Sequence, residues 1–461
     1  MSKDKEHRFT ESKECMRSEL ELFAMPNFQS QLKSWKYIDY FPISSLDKQG
    51  PIEFVIKSSK NVYLDLLNSL FLFEASIKNE DGSDITITTD EADAGFLKQF
   101  VAPTNAFHST HFKSVEISLN GTLVSVTDNM YGYKSYIQKL LSYDYLTKDT
   151  ILQLGMFYND TGNISRMRKE EGKDQTTSCE ELTMRYKKSS ESKIFSCLGR
   201  IHSELFLQSK FLPGNNELRI KFHRADPAFS LIAASDTSYT VDINKAVLRM
   251  KQYEIPDHIL NAHNIMLEKN ISMKFPVTHV ETKYFSKSSG RSDLSEMNIC
   301  TGILPKKVVI GLVDSATFNG SIETNPFNFQ HFSLSSIKLR VNGEPIPYEE
   351  ISCDYTNNIY TDAYFSLYQT TRAEWDSPLN MGISYDQYKA GYCLYGFDLG
   401  ATNDESCLDL IKTGKISLNI KLAAATTAAV TIVCYLEFSK LIEISKDGKV
   451  TTFGHTGKTT W

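Results

Sequence analysis

The chain contains an internal echo. His111-Phe112 leads into Val115-Glu116-Ile117-Ser118-Leu119-Asn120-Gly121, and much later His331-Phe332 leads into Ile337-Lys338-Leu339-Arg340-Val341-Asn342-Gly343. In both copies apolar and polar residues alternate, which gives a strand one dry and one wet face. Both then end on Asn-Gly, a pair that accepts the positive φ of tight hairpin turns. Each copy is followed by a helical candidate rich in tyrosine, with apolar residues three and four apart: Tyr133, Tyr136, Ile137, Leu140 and Leu141 within 133–145, and Tyr364, Leu367 and Tyr368 within 363–372. Each half closes on a β-rich pair, 218–233 and 416–444. An ordered series of this kind marks duplication. The chain is therefore expected to build two similar β domains in tandem.

Further windows support a mainly β protein: 85–89, 115–119, 218–222, 308–313, 337–341 and 416–422. Asp81-Gly82, Asn319-Gly320 and Asp447-Gly448 add turn chemistry. Helices are expected only as short pieces inside loops. A length of 461 residues, 41% of them hydrophobic, suffices for two large cores. Ile255-Pro256-Asp257 offers a rigid junction, because proline fixes its own φ and restrains the residue before it. The expected division is an N-terminal arm at 1–50, a first domain at 51–255, a second at 256–445 and a tail at 446–461. An insertion at 159–193 contains Arg166-Met167-Arg168-Lys169 next to Glu170-Glu171 and reads as an exposed loop whose charges nearly cancel. Leu20, Leu22, Phe23, Phe28, Trp35 and Tyr37 make 18–40 too apolar for a free tail, so this segment is expected to be extended and docked on a neighbouring element or subunit, with packing against its own barrel as the alternative.

Charge and motif exclude several classes. A net charge of -6 gives no general attraction to nucleic acid or anionic lipid, so direct sequence-specific nucleic-acid binding is not expected. The eight cysteines, Cys15, Cys179, Cys197, Cys300, Cys353, Cys393, Cys407 and Cys434, show no C-x-x-C pair and read as free thiols. The first nine residues are charged and lack an apolar core, which argues against a secretory signal. Residues 422–436 carry no charge, yet they fall short of the roughly 20 apolar residues of a spanning helix, and 430–438 favours a buried strand.

The end of the chain, Thr452 to Thr459, imitates a phosphate loop, but Thr452 stands where the first glycine must be and no helix can follow. His108-x-x-His111 has metal-like spacing without a matching carboxylate or cysteine and is read as structural, on a strand. Asp90-Glu91-Ala92-Asp93 lacks the spacing of a calcium loop. No nucleophile elbow, H-E-x-x-H or dinucleotide fingerprint occurs. No catalytic, cofactor or metal residue is nominated, and an enzyme is not expected.

Ser18-Glu19-Leu20-Glu21-Leu22-Phe23, Pro51-Ile52-Glu53-Phe54, Tyr63-Leu64-Asp65-Leu66, the segment 111–121, Asn325-Pro326-Phe327-Asn328-Phe329-Gln330-His331-Phe332 and Cys434-Tyr435-Leu436-Glu437-Phe438 resemble the major capsid proteins of the Polinton/Maverick and adintovirus group. These are double jelly-roll proteins, distant relatives of adenovirus hexon. The resemblance covers most of residues 14–445 and is most specific at 325–332. It implies two eight-stranded jelly rolls per chain, a homotrimeric pseudo-hexagonal capsomer, contacts with neighbouring capsomers, penton and minor capsid proteins, and a place in the virion capsid. It also implies that 159–193 is an outward loop and the residues before Pro51 a basal arm.

A carbohydrate- or receptor-binding β-sandwich protein is the alternative, because lectins share the jelly-roll architecture. An excess of aromatics at Tyr355, Tyr360, Tyr364, Phe365, Tyr368, Trp375, Tyr385, Tyr388, Tyr392, Tyr395 and Phe397 is expected to contribute to contacts between chains.

Overall fold

A computed structural model describes residues 20, 22, 23, 25, 28–46, 50–88, 90, 96–125, 129–160, 179–294, 297–346, 350–375, 379–400 and 409–454. The first half contains β1 (Ser34–Tyr40), β2 (Ile52–Ile56), β3 (Val62–Asn79), β4 (Val101–Pro103), β5 (Phe112–Leu119), β6 (Thr122–Ser125), β7 (Phe195–Gly199), β8 (Leu218–Arg224), β9 (Leu231–Ala233) and β10 (Tyr239–Glu254). The second contains β11 (Met273–Lys287), β12 (Met297–Ile303), β13 (Lys307–Asp314), β14 (Leu334–Val341), β15 (Glu344–Pro345), β16 (Ile351–Ser352), β17 (Leu394–Asp398), β18 (Thr413–Leu422), β19 (Val430–Ile444) and β20 (Val450–Gly454). The connections carry α1 (Phe107–Thr110), α2 (Tyr131–Ser142), α3 (Tyr145–Asp149), α4 (Glu180–Ser189), α5 (Pro227–Ser230), α6 (Asp257–Glu268), α7 (Ser315–Phe318), α8 (Thr361–Thr371) and α9 (Tyr385–Lys389).

The strand order repeats. The first half forms antiparallel sheets β1-β10-β3-β7 and β2-β8-β5-β6, and the second forms β11-β19-β13-β17 and β12-β18-β14-β15. Setting aside the short β4, β9, β16 and β20, each half orders its strands first-eighth-third-sixth and second-seventh-fourth-fifth, the jelly-roll order. The chain is a double jelly roll.

The two Asn-Gly turns occupy the same position, joining β5 to β6 and β14 to β15. Asn120, Gly121, Asn342 and Gly343 all have positive φ (50°, 78°, 54° and 95°), as a two-residue hairpin of this hand requires. The tyrosine helices α2 and α8 also lie in the same connection, before the sixth strand of each barrel.

Alternation fills the cores as expected. On β8, Leu218, Ile220 and Phe222 are buried while Arg219, Lys221 and His223 are not. Phe222 stacks on Phe71 of β3 at 4.4 Å, and Phe54 and Phe112 meet the pair edge-on or tilted, closing one sheet onto the other.

Several expectations are corrected. Residues 85–88 form no strand, and the amide of Ile85 donates to Ser192 Oγ instead of to a ladder. The supposed exposed loop at 159–193 contains α4, with Leu182, Thr183, Arg185 and Ser189 buried; Arg166 to Glu171 lie outside the described residues. The arm includes β1, which adds to β10 as the edge strand of the first barrel, so this part of 18–40 docks on its own barrel. The tail includes β20, which pairs with β19. His108 lies on α1, not on a strand. The Pro256 junction opens the twelve-residue α6, which the sequence reading missed.

Candidate functional site

The two barrels meet along a seam built around α2. Met130, Tyr133, Tyr136, Ile137, Leu140 and Leu141 belong to the apolar core of the second barrel, although α2 is part of the first half of the chain. Tyr136 stacks on Phe327 at 4.4 Å, and Tyr133 on Phe318 at 5.5 Å. On the other side of the same helix, Tyr131 joins the first core, which also takes in Phe275, Val277, Ile442, Ile444 and Val450 from the second half. Apolar surface from each barrel is thus removed from water by the other, which favours one cooperative body.

Charged groups are buried in the same seam. Glu204, in a 3-10 turn of the first half, accepts hydrogen bonds from Nδ1 of His279 on β11 and, at 3.2 Å, from Nζ of Lys440 on β19. Lys440 also donates to the carbonyl of Val124 at 2.9 Å. Burial pushes the Glu204 carboxyl up, but His279, Lys134 and Lys440 outweigh it and hold the group at about 2. Lys148 reaches across the seam to the carbonyls of Leu140 (2.5 Å) and Met381 (2.6 Å). Burial drives its pKa down to about 7, against the opposing pull of Asp144. Further up, Arg185 of α4 holds Asp160 through both carboxylate oxygens, at 2.7 and 3.3 Å, and Tyr392 of the second half donates to the Asp160 carbonyl at 2.9 Å.

Asp160, Cys179 and Glu181 bring ligand atoms within 4.8 Å of one another. Arg185 occupies both Asp160 oxygens, and burial together with Asp160 pushes the Cys179 thiol up to about 12. The trio suits the guanidinium already present and not a metal, which needs deprotonated ligands.

The residues singled out in the sequence are dispersed. His108 and His111 are buried in the first barrel, where His108 Nε2 meets the Phe71 carbonyl at 2.9 Å. Asp90 is described, but Glu91 to Asp93 are not, and the end of the chain after Gly454 also lies outside the described residues. Cys179, Cys197, Cys300, Cys353, Cys393 and Cys434 are buried and form no disulfide among the described residues; Cys15 and Cys407 fall outside.

The aromatic excess at 355–397 is mostly interior. His331, Tyr355, Tyr360 and Tyr385 stack in series at 4.2, 5.2 and 4.2 Å. The hydroxyls of Tyr355 and Tyr395 meet at 2.8 Å, and those of Tyr364 and Tyr368 both donate to the Ile383 carbonyl. These rings pack long loops onto the second barrel; within the set, Trp375 (91% exposed) and Phe365 (36%) remain open to solvent. Leu22, Phe23, Met25, Phe28, Trp35 and Phe41, in the first part of the chain, are exposed as well.

Sequence reasoning missed the seam charges, although one carried a signal. Lys440 falls on the apolar phase of β19, between Phe438 and Ile442.

The fold defines a class: double jelly-roll proteins, whose solved members here are viral capsid proteins. A chain of the Sputnik virophage superposes with a TM-score of 0.55 at 11% identity, over 96% of this chain and 92% of that one. The mavirus major capsid protein gives 0.50 at 11% identity, over 97% and 96%. The Faustovirus major capsid protein gives 0.51 at 8% identity, over 92% and 93%. The double jelly roll implied by the resemblance to Polinton/Maverick and adintovirus capsid proteins is therefore the fold observed. Among curated sequences, uncharacterized protein F54H12.2 of Caenorhabditis elegans is 20% identical over 431 residues, which is 91% of this chain and 97% of that protein. No family model matches the chain. No described helix is long and apolar enough to cross a membrane.

Proposed function

We propose that the chain is the major capsid protein of a Polinton/Maverick- or adintovirus-type element, and that three copies build a pseudo-hexagonal capsomer of an icosahedral particle. The observation that carries this reading is the pair of jelly rolls with one strand order, fused along a shared helix. Such a chain offers two similar blocks, so a threefold particle presents six and can tile a sixfold lattice. The role is structural and not enzymatic, and the partners are neighbouring capsomers with penton and minor capsid proteins. The functional units are an arm that begins the chain, barrels on either side of Pro256, and a short terminal tail. The exposed side chains of Leu22, Phe23, Met25, Phe28, Trp35 and Phe41 are available for contacts between chains.

Sedimentation of the purified protein tests the trimer, whose mass is three times the chain mass of 52.3 kDa. Electron microscopy at varied salt tests assembly into shells or arrays. A monomer that persists at high concentration and binds glycans overturns the proposal in favour of a carbohydrate-binding sandwich.

A further inference from the structure

A layer of basic side chains lies buried under α1 and α2, between the first barrel and the seam. His108 on α1 and His111 at its C-terminal cap are 3% and 2% exposed, and His202, after β7, is 2% exposed. They are joined by Lys134 and Lys139 of α2, both buried.

Each histidine is held by neutral groups. His108 Nε2 meets the Phe71 carbonyl, its ring stacks on Phe73 at 5.8 Å, and the backbone of Gly199 packs against Nδ1 so closely that a Cβ there would lie 3.0 Å from it. His111 sits among Phe73, Phe107 and Phe112, with no hydrogen-bond partner for either ring nitrogen among the described residues. His202 Nδ1 faces Gln138 Oε1 at 3.4 Å, and its ring lies edge-on to Tyr143.

The ionisable groups facing them are mostly cationic. Lys139 stands beside His108 and His202, Lys134 and Arg200 beside His202, and Arg224 of β8 beside His111. Cys197 of β7 is near Lys139, and burial keeps its thiol protonated, at about 12. The acid closest in sequence to His202, Glu204, is engaged by His279 and Lys440 and also attracts Lys134 of the layer. Lys139 gives its own hydrogen bond to Ser109 Oγ at 2.7 Å, and Lys134 Nζ has none among the described residues.

We propose that this histidine–lysine layer is an acid-sensitive release: protonating His108, His111 and His202 adds charge to a buried layer that already holds cations and drives α1 and α2 off the barrels. Protons have a route, because His202 lines a seam cleft of about 590 Å³ bordered by Gln138, Tyr143, Lys306 and Tyr435. The inference is independent of the capsid reading.

The sign follows from linkage. Burial first, then the neighbouring cations, hold His108 and His111 at about 3 and His202 well below its ordinary value. The unfolded chain therefore binds protons from about pH 6.5 downward while the native layer does not. Stability is full above that pH and falls below it. Each histidine lowers the folded-to-unfolded ratio roughly thirtyfold by pH 5.

Urea unfolding of the full chain from pH 7.5 to 5 is the test. Between pH 6 and 5 the logarithm of the folded-to-unfolded ratio is expected to fall by about two to three per pH unit. Hydrogen exchange is expected to reach α1 and α2 before β19. His202→Gln and His108→Gln should each remove about one unit of the slope, while His258→Gln on the exposed helix α6 leaves it unchanged. A slope below one in the wild-type chain, or α1 and α2 staying protected at pH 5, overturns the proposal even if no variant folds.

Discussion

Replacing Glu204 by glutamine isolates the electrostatic tie between the barrels. Glutamine keeps the size of the side chain and one accepting oxygen but removes the charge that answers His279 and Lys440. The site is dry: Glu204 and Lys440 side chains are 1% and 5% exposed. Removing one partner of a buried pair leaves the other charge in a low-dielectric site and costs about 3–5 kcal/mol. Chemical unfolding at pH 7.5, followed by circular dichroism, should show that loss. The double substitution Glu204→Leu with Lys440→Met should cost much less than the two single changes added together, since an apolar pair of similar volume removes both charges at once.

The pH dependence supplies a second check. Glu204 is held at about 2, below the 4.5 of an ordinary glutamate. Its contribution is therefore complete above pH 4.5 and is lost as pH falls from there through 2. The gap between wild type and E204Q should narrow as pH falls below 4.5; the histidine layer acts on both chains and cancels. A loss below about 1 kcal/mol at pH 7.5, or strictly additive single and double changes, would refute the tie.

Three further outcomes are expected. Gly311→Ala places a Cβ 2.4 Å from Phe329 and 2.9 Å from Leu394, so overpacking on β13 should cost about 1–3 kcal/mol and lower the Tm in a calorimetric scan. Arg185→Met leaves the Asp160 carboxylate buried without its cation; a loss of about 3–5 kcal/mol and faster proteolysis around α4 are expected. Lys148 is held at about 7, below 10.5, so its own burial penalises the folded chain less as pH rises between those values; the stability of Lys148→Met relative to wild type should therefore fall from pH 7 to pH 10 in unfolding measurements.

The barrels were legible because period-two alternation and Asn-Gly turns act locally. Asn120 and Asn342 need positive φ whatever surrounds them, and Leu218, Ile220 and Phe222 point one way in any strand. Residues 85–88 had the strand composition but join no ladder, and Ile85 bonds to Ser192 instead. Helix α4 was hidden because its buried face includes Arg185, which reads as polar until Asp160 is placed beside it. The aromatic run at 355–397 was legible as an excess but not as a destination. Its hydroxyls find partners such as the Ile383 carbonyl only once the loops fold back on the second barrel. Of the seam, only Lys440 broke its local pattern. Glu204, His279 and Lys148 are charged residues whose burial depends on a second barrel far away in sequence.

Duplication explains the common strand order but not the way the halves join. The repeated tyrosine helices lie in equivalent connections, yet both α2 and α8 contribute to the core of the second barrel, while the first core receives Phe275, Val277, Ile442, Ile444 and Val450 in return. Two copies of one barrel could remain beads on a string if each buried only its own strands. Here each core includes residues from the other half, and the ion cluster at Glu204 requires both. Separating the barrels would expose apolar faces and leave charges without partners together, so the seam is expected to open as one event and not strand by strand.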